Sequence, residues 1–316
     1  MVSAGWAPDV SPCSPEERRA ALSVLYRRVP ASLRGRLVEE ALEESARGRI
    51  DLSGLWVART RRRGVIGALL TQALAGRAAA VWAPEVDAVW GRAATAAELV
   101  RTALRGMRDR GFVLAQALLD ESAPRQAAAD LEAGGMPEVT ELLYLELDTN
   151  CPVAVPAGAP KVDWAGYGPE TEADLRAVLE ATYAGSLDMP ELDGLRSLDD
   201  VLTSHRAAGR FVPERWRVGH VRGEPAAACV LLLSEILDRD AWEVAYLGLT
   251  ETARGRGLGR AALAHARELA EGHVPRIELA VDARNTPARR LYDAAGLRPF
   301  DRRSVHLAKL AELPRG

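Results

Sequence analysis

The chain has 316 residues, of which 48% are hydrophobic and 27% charged, and its formal net charge is −3. This length suggests two domains, and the composition excludes a chain that is mostly disordered or fibrous. The small net charge gives no reason to expect nucleic acid or an anionic membrane as a partner.

The first half of the chain predicts alternating helices and strands. Apolar residues spaced by three or four positions predict helices around residues 22–29, 33–41 and 100–107, and residues 124–133 form a short helical pattern. Apolar and β-branched runs predict strands at Leu55–Thr60, Val65–Leu70, Ala78–Trp82, Val113–Leu118 and Leu142–Leu147.

A linker is predicted at Asp148–Lys161, which holds three prolines and has no helical or strand period. It divides the chain into two domains of similar length. We therefore expect a first domain at residues 1–148, a linker at 149–161 and a second domain at 162–316.

The second half predicts a similar series of elements. Helices are expected at Glu170–Ala184, Ser197–Ala207, Leu258–Ala270 and Thr286–Ala295. Strands are expected at Trp216–His220, Ala226–Leu233, Trp242–Leu249, Arg276–Val281 and Ser304–Lys309. In both halves a short helix, a glycine and a closing strand follow one another, at residues 133–136 and 294–297. This order favours a duplicated fold.

A glycine-rich loop, Arg254–Arg260 (RGRGLGR), lies between a predicted strand and a predicted helix. Glycines let a ligand approach the backbone, and the N–H groups of the first helical turn attract an anion such as a pyrophosphate. The loop is not a Walker loop, and Arg260 stands where a dinucleotide fingerprint needs its third glycine. A plain tight turn is the alternative interpretation.

Two motifs of the second half together resemble those of the GNAT superfamily of acyl-CoA-dependent N-acyltransferases. Arg254–Arg260 matches the family pattern [QR]xxGx[GA], and Asn285–Leu297 matches its helix N-x-x-A-x-x-[LF]-Y-x-x-x-G-[LF]. The resemblance extends over about Val162–Leu310. It implies an α/β protein with two tandem GNAT folds. Each would have a mixed, mostly antiparallel sheet flanked by helices, with splayed parallel central strands in the second.

The resemblance also implies roles for individual residues. The edge of the strand at Leu247, Gly248 and Leu249 would bind the pantetheine arm of acetyl-CoA, with Asn285 against that arm, and Tyr292 would point at the thioester sulfur. Backbone N–H groups would hold the pyrophosphate at Arg254, Gly255, Arg256, Gly257, Leu258, Gly259 and Arg260.

Acyl transfer needs a proton donor for the departing thiolate and a proton acceptor for the amine. A phenol has a pKa of about 10 and a thiol one of about 8.5, so Tyr292 suits the donor role. Glu243 precedes Arg254 by eleven residues, where some family members place a base that acts through a water. The alternatives are a packed aromatic for Tyr292 and a strand-end surface charge for Glu243.

The first half lacks these features. Its connection between strand and helix, residues 83–98, holds Gly91 and no RxxGxG pattern. Leu131 and Pro124 stand in the places of Tyr292 and Asn285. We expect a degenerate GNAT fold that performs no chemistry. This arrangement is similar to that of mycothiol synthase, but residues that select an acceptor lie outside the matched motifs.

An acidic segment at residues 186–194 lies between the first two helices of the second half, where this fold borders its acceptor site. Asp188, Glu191 and Asp193 are predicted to bind a cationic acceptor, with a solvated acidic loop as the alternative. The five histidines show no metal-ligand spacing, so no metal is expected.

The motifs predict an enzyme that moves an acetyl group from acetyl-CoA to the amine of a small molecule by direct attack. The alternative is a non-catalytic acyl-CoA-binding sensor or scaffold, which would need neither Tyr292 nor Glu243. The widely spaced cysteines and the start of the chain, which has no signal-peptide pattern, predict a cytoplasmic protein. No apolar run reaches the roughly 20 residues of a membrane span.

Overall fold

The computed structural model describes residues 8–88 and 90–313. The helices are α1 (Arg18–Leu25), α2 (Ala31–Ala46), α3 (Arg92–Asp109), α4 (Arg125–Ala133), α5 (Glu172–Tyr183), α6 (Leu198–Ala207), α7 (Leu258–Ala270) and α8 (Thr286–Ala294). The strands are β1 (Asp9–Pro12), β2 (Leu55–Thr60), β3 (Gly64–Leu74), β4 (Ala78–Val81), β5 (Glu85–Val86), β6 (Leu114–Leu119), β7 (Glu138–Asp148), β8 (Val162–Gly166), β9 (Trp216–Val221), β10 (Ala227–Ile236), β11 (Ala241–Leu249), β12 (Arg276–Asp282) and β13 (Arg298–Lys309).

The predicted elements are confirmed, with ends that differ by a few residues in most cases, by eight at the start of α3 and by six at the start of β13. Strands β1, β5 and β8 were not predicted, because each is short and has little apolar periodicity. The chain forms two compact units, the first from Met1–Val139 with Ser304–Gly316 and the second from Thr140–Arg303.

The first unit is a mixed sheet with helices on both faces. Its strand order is β1-β2-β3-β4-β6-β13, and β5 pairs with β3. The pair β4 and β6 is parallel, whereas the other pairs are antiparallel. Helix α3 packs Leu99, Leu104 and Met107 on one face, and α1 and α2 pack Leu22 and Val38 on the other.

The second unit repeats this plan in the order β7-β12-β11-β10-β9-β8. Helix α7 covers one face of the sheet, where Leu263 and Ala266 belong to the same buried cluster as Trp242 and Val244. Helices α5 and α6 cover the other face around the buried Trp216. Strands β11 and β12 are parallel, and each has an antiparallel neighbour on its other side.

The last strand of each sheet comes from the other half of the sequence. Residues 304–309 of β13 pair with β6 in the first unit, and residues 142–148 of β7 pair with β12 in the second. The units therefore differ from the division at residues 148 and 161 that the sequence suggested. The pairing of β7 with β12 sets the boundary between the two units, because it brings Leu145 and Leu147 into the core of the second unit.

The expected linker, residues 149–161, lies within the second unit. Val153 belongs to its core, and the backbone oxygen of Thr149 accepts a hydrogen bond from Arg267 Nε at 2.7 Å. These contacts show a segment attached to α7. Among the described residues, no helix has both the length and the apolar character that crossing a membrane requires.

Candidate active site

A cavity of about 450 Å³ opens where β11 and β12 separate. Their parallel pairing covers only residues 241–243 of β11 and 276–278 of β12. Strand β11 continues to Leu249, so the edge of its later residues faces the cavity instead of a neighbouring strand. The resemblance to the GNAT superfamily implied this splay, and Leu247, Gly248 and Leu249 line it.

A bulge in β11 lies at the same place. The register with β10 shifts between Leu232, which faces Tyr246, and Leu233, which faces Val244. Ala245 is the extra residue and also lines the cavity. A bulge of this kind twists a strand and redirects its side chains, so Tyr246 points to the α5 face while Leu247 packs with the α7 side.

The glycine-rich loop borders the cavity at the start of α7. Gly257 precedes the helix in a left-handed conformation, with φ of +84°. A Cβ at this glycine would lie 3.1 Å from the Cβ of Ala159, so a side chain would be strained and crowded. The N-terminus of α7 and the guanidinium groups of Arg254 and Arg260 make this end of the cavity electropositive.

The loop residues do not all face the cavity. Gly255, Leu258 and Gly259 line it, as do Arg254, Gly257 and Arg260. Arg256 is absent from the lining and forms an ion pair with Glu224. A role of the Arg256 backbone toward an anion stays a prediction.

Helix α8 places two of the predicted residues. The side-chain oxygen of Asn285 accepts a hydrogen bond from the Ala288 backbone at 3.2 Å and caps the helix. Tyr292 lies two turns later, is 8% exposed and lines the cavity. Burial, with the charge of Asp188 and the neighbouring Tyr246, raises the pKa of the Tyr292 hydroxyl above its ordinary value. The phenol therefore stays protonated at neutral pH.

An aromatic group beside the cavity was not singled out from the sequence. The Tyr246 hydroxyl donates to Thr182 Oγ1 at 2.8 Å, and its ring stacks on Tyr183 with centroids 4.9 Å apart. Tyr183 Oη is hydrogen-bonded to His205 Nε2 at 2.7 Å. Burial raises the pKa of Tyr246 to about 12 and lowers that of His205 to about 4. No sequence pattern pointed to Tyr246, because β11 (AWEVAYLGL) is apolar along most of its length.

The three carboxylates of the acidic segment have different surroundings. Asp188 lines the cavity. Glu191 is absent from the lining and forms a bidentate ion pair with Arg284, at 2.7 and 2.9 Å. Asp193, also absent from the lining, accepts a hydrogen bond from the Gly185 backbone at 3.3 Å. The expectation that all three line one pocket does not match this arrangement, because Arg284 and Gly185 hold two of them elsewhere.

Glu243 lies beside the cavity and not in its lining. It occupies the last position at which β11 pairs with β12, opposite Glu278. Glu278 is 4% exposed and forms ion pairs with Arg239 and Arg276, at 2.9 and 3.3 Å. Desolvation and the charge of Glu278 raise the pKa of Glu243 above its ordinary value. This carboxylate is thus a stronger proton acceptor than an exposed one.

The first unit contains the corresponding elements without the chemical groups. Gly91 precedes α3 with φ of +68°, as Gly257 precedes α7, and Pro124 precedes α4, as Asn285 precedes α8. Leu131 on α4 is fully buried in the core. Within residues 8–88 and 90–313, no group of His, Cys, Asp or Glu is arranged to hold a metal ion.

Comparison with known proteins agrees with the motifs. Residues 182–297 match the model of the acetyltransferase (GNAT) family, and every cavity-lining residue, from Thr182 to Tyr292, falls inside this range. A mycothiol acetyltransferase of Beutenbergia cavernae is 32% identical over 130 residues, which is 41% of this chain and 43% of that protein. The chain thus matches less than half the length of this curated relative.

Solved structures share the fold. A GCN5-related N-acetyltransferase from Sphaerobacter thermophilus has a TM-score of 0.58 at 18% identity, with 96% of each chain covered. A tandem GNAT protein from the clavulanic acid biosynthesis pathway has a TM-score of 0.51 at 17% identity, with 98% of this chain and 100% of that chain covered. Residues 182–297 therefore match the acetyltransferase (GNAT) family, and the chain as a whole has the fold of a tandem GNAT protein.

Proposed function

We propose that the protein transfers the acetyl group of acetyl-CoA to the amine of a small molecule, at the cavity of the second unit. One observation carries the proposal. The splay of β11 and β12 brings together a free strand edge, the electropositive start of α7 and the protonated Tyr292, within the segment that matches the acetyltransferase family.

The residues present fit acetyl-CoA as a substrate. Six residues of the glycine-rich loop line the cavity, and Gly257 lets the backbone take the left-handed turn from which the helix starts. Such an N-terminus binds phosphate groups through its free N–H donors. The edge of Leu247–Leu249 offers backbone groups to an amide-bearing arm such as pantetheine. We expect one acetyl-CoA site per chain, because Gly91 in the first unit is not followed by a comparable loop.

The reaction is a direct transfer. The neutral amine attacks the thioester carbonyl, a C–N bond forms, and the C–S bond breaks. Tyr292 gives its proton to the departing thiolate, for which a protonated phenol is suited. A carboxylate takes a proton from the incoming amine. Glu243 acting through a water is the candidate from the sequence, and its position beside the cavity is compatible with that role.

Calorimetry with acetyl-CoA and a thiol-release assay over a library of amines test the proposal. The library includes glucosamine, since a fungal glucosamine N-acetyltransferase region shares this fold with a TM-score of 0.60 at 15% identity. We expect one bound acetyl-CoA per chain and thiol release that depends on an amine. Binding without thiol release for any amine would instead support a non-catalytic acyl-CoA sensor.

A cytoplasmic location is part of the proposal. The wide spacing of Cys13, Cys151 and Cys229 supports it, because a reducing compartment leaves such thiols unpaired. Fractionation of cells that produce the protein, with detection by antibody, tests this expectation.

A further inference from the structure

We infer that Asp188 binds the ammonium group of the acceptor and takes the proton that this group loses before it attacks. The inference rests on the proposed function and adds the residue that recognises the amine. Among the described residues that line the cavity, Asp188 is the one acidic side chain. It shares this lining with Tyr292, Asn285 and Tyr246.

The position of Asp188 is set by a hydrogen-bonded contact with the end of β12. The Asp282 backbone N–H donates to Asp188 Oδ1 at 2.7 Å, and the Met189 N–H donates to Asp282 Oδ2 at 3.1 Å. Met189 has a φ of +49°, a conformation that a non-glycine residue adopts only when its surroundings impose it. The segment is therefore held against β12 and does not swing freely.

Asp282 is itself firmly held. Its side chain is fully buried, and Oδ1 accepts hydrogen bonds from Thr140 Oγ1 at 2.6 Å and from the Arg284 backbone at 2.8 Å. This leaves Asp188 with one oxygen anchored by Asp282 while the side chain remains accessible from the cavity. An anchored carboxylate can orient an ammonium group without first losing its own conformational freedom.

The charges around Asp188 favour a cationic ligand. Arg284 is the nearby cation, and it forms ion pairs with Asp282 and Glu191. The charge of Asp188 contributes to the raised pKa values of Tyr183, Tyr246 and Tyr292, so its field extends into the cavity. An ammonium group placed there would compensate this charge.

The surroundings also suit proton transfer. Crowding by protein atoms and the charge of Asp282 raise the pKa of Asp188, while the Asp282 N–H, Asn285 and Arg284 act against this rise. The ammonium gives one proton to the carboxylate, and the neutral amine attacks. The second proton leaves nitrogen as the amide forms and returns through solvent to the Tyr292 phenolate, and Asp188 releases its proton to water.

Glu243 is the competing candidate, and its geometry differs. It is absent from the cavity lining and faces Glu278, so it reaches an amine only through water. We expect Asp188→Asn to lower kcat/KM by about 100-fold or more, the range of a general base, and Glu243→Gln to lower it less. Asparagine keeps an oxygen for the Asp282 N–H and removes the charge.

The kinetic test uses the full chain and the library amine with the highest kcat/KM. The acidic limb of the kcat/KM profile, along which the rate rises with pH as Asp188 ionises, should disappear in Asp188→Asn and persist in Asp188→Glu. Asp293→Asn, an exposed change next to Tyr292, is the matched control and should have no effect. A rate for Asp188→Asn within threefold of the wild type, or loss of the acidic limb only in Glu243→Gln, would overturn the inference.

A binding test is independent of turnover. Carbon-13 NMR of aspartate-labelled, CoA-saturated protein identifies the Asp188 carboxyl by difference from Asp188→Asn. We expect n-butylammonium, and not 1-butanol, to shift this signal and lower its pKa. Equal responses to the two probes would reject amine binding by Asp188, even if the library yields an acetylated amine. If no amine in the library is acetylated, the proposed function is rejected, and the NMR result still decides whether Asp188 binds an amine.

Discussion

Tyr292 shows how burial sets the protonation state of one side chain. Its raised pKa keeps the hydroxyl protonated at neutral pH, so it is available as a proton donor. We predict that Tyr292→Phe lowers kcat about 10²–10⁴-fold, the range of a general acid, and leaves the Kd of acetyl-CoA nearly unchanged. Steady-state kinetics and calorimetry measure the two quantities. Unchanged turnover would assign the proton donor to another group or to water.

His205 links the aromatic group beside the cavity to stability. Its pKa in the folded chain is about 4, below the ordinary 6.5, because packing against Tyr183 desolvates the ring and the charge of Arg196 disfavours protonation. Between these values the unfolded chain binds more protons, so stability is complete above pH 6.5 and declines as the pH falls toward and through 4.

We predict that this residue contributes a loss of about 1–2 kcal/mol in the free energy of unfolding between pH 6.5 and pH 4.5. Urea denaturation at several pH values measures it. His205→Gln, which keeps a hydrogen-bonding group near Tyr183, should show a smaller loss over the same range. His265, whose pKa is also lowered, is present in both proteins and cancels in the difference. Identical pH dependence in the two proteins would contradict the prediction.

At the scale of elements, the junction of the glycine-rich loop with α7 forms the anion-binding end of the cavity. We predict that Gly257→Glu weakens acetyl-CoA binding by more than about 100-fold. The change crowds Ala159 and adds a negative charge at the helix N-terminus, whose N–H groups would meet a pyrophosphate. Calorimetry measures the affinity.

Gly272→Glu is the matched control, since Gly272 follows the other end of α7. Its φ of +75° resembles that of Gly257, and no atom lies within 4 Å of an added Cβ. It imposes a similar left-handed backbone strain and the same charge away from the loop, without the crowding against Ala159. Equal loss of binding in both variants would mean that strain, and not the anion site, explains the result.

At the scale of the whole molecule, the closing strands set the bounds of the units, because residues 140–148 of β7 belong to the second unit and residues 304–309 of β13 to the first. A fragment of residues 162–316 lacks β7, which pairs with residues 276–282 and supplies Leu145 and Leu147 to the core. Its β12 would present an open edge, a known route to aggregation. We predict that this fragment does not bind acetyl-CoA, whereas a fragment of residues 140–303 does.

Size-exclusion chromatography, circular dichroism and calorimetry on the two fragments test this dependence. Co-expression of residues 1–161 with residues 162–316 should restore binding, because all paired strands are then present. A monomeric 162–316 fragment with the acetyl-CoA affinity of the full chain would show that β7 is dispensable.

The sequence by itself determined the features that depend on neighbouring residues. Apolar periodicity predicted the helices and longer strands, and the glycines of RGRGLGR and the N-cap Asn285 marked the starts of α7 and α8. These features arise from local backbone preferences and short-range hydrogen bonds. The role of Tyr292 was proposed from the resemblance to the GNAT motif that begins at Asn285, and α8 fixes the spacing of these two residues.

Only the tertiary structure decided which distant residues meet. It joined β7 to β12 and β13 to β6, against the division suggested by the proline-rich segment. It also separated three nearby carboxylates, because Arg284 binds Glu191 while Asp282 anchors Asp188 at the cavity. Asp188 and Asp282 are 94 positions apart, and no local pattern encodes such a contact. Strand pairing and charge compensation between distant segments form only when the whole chain packs.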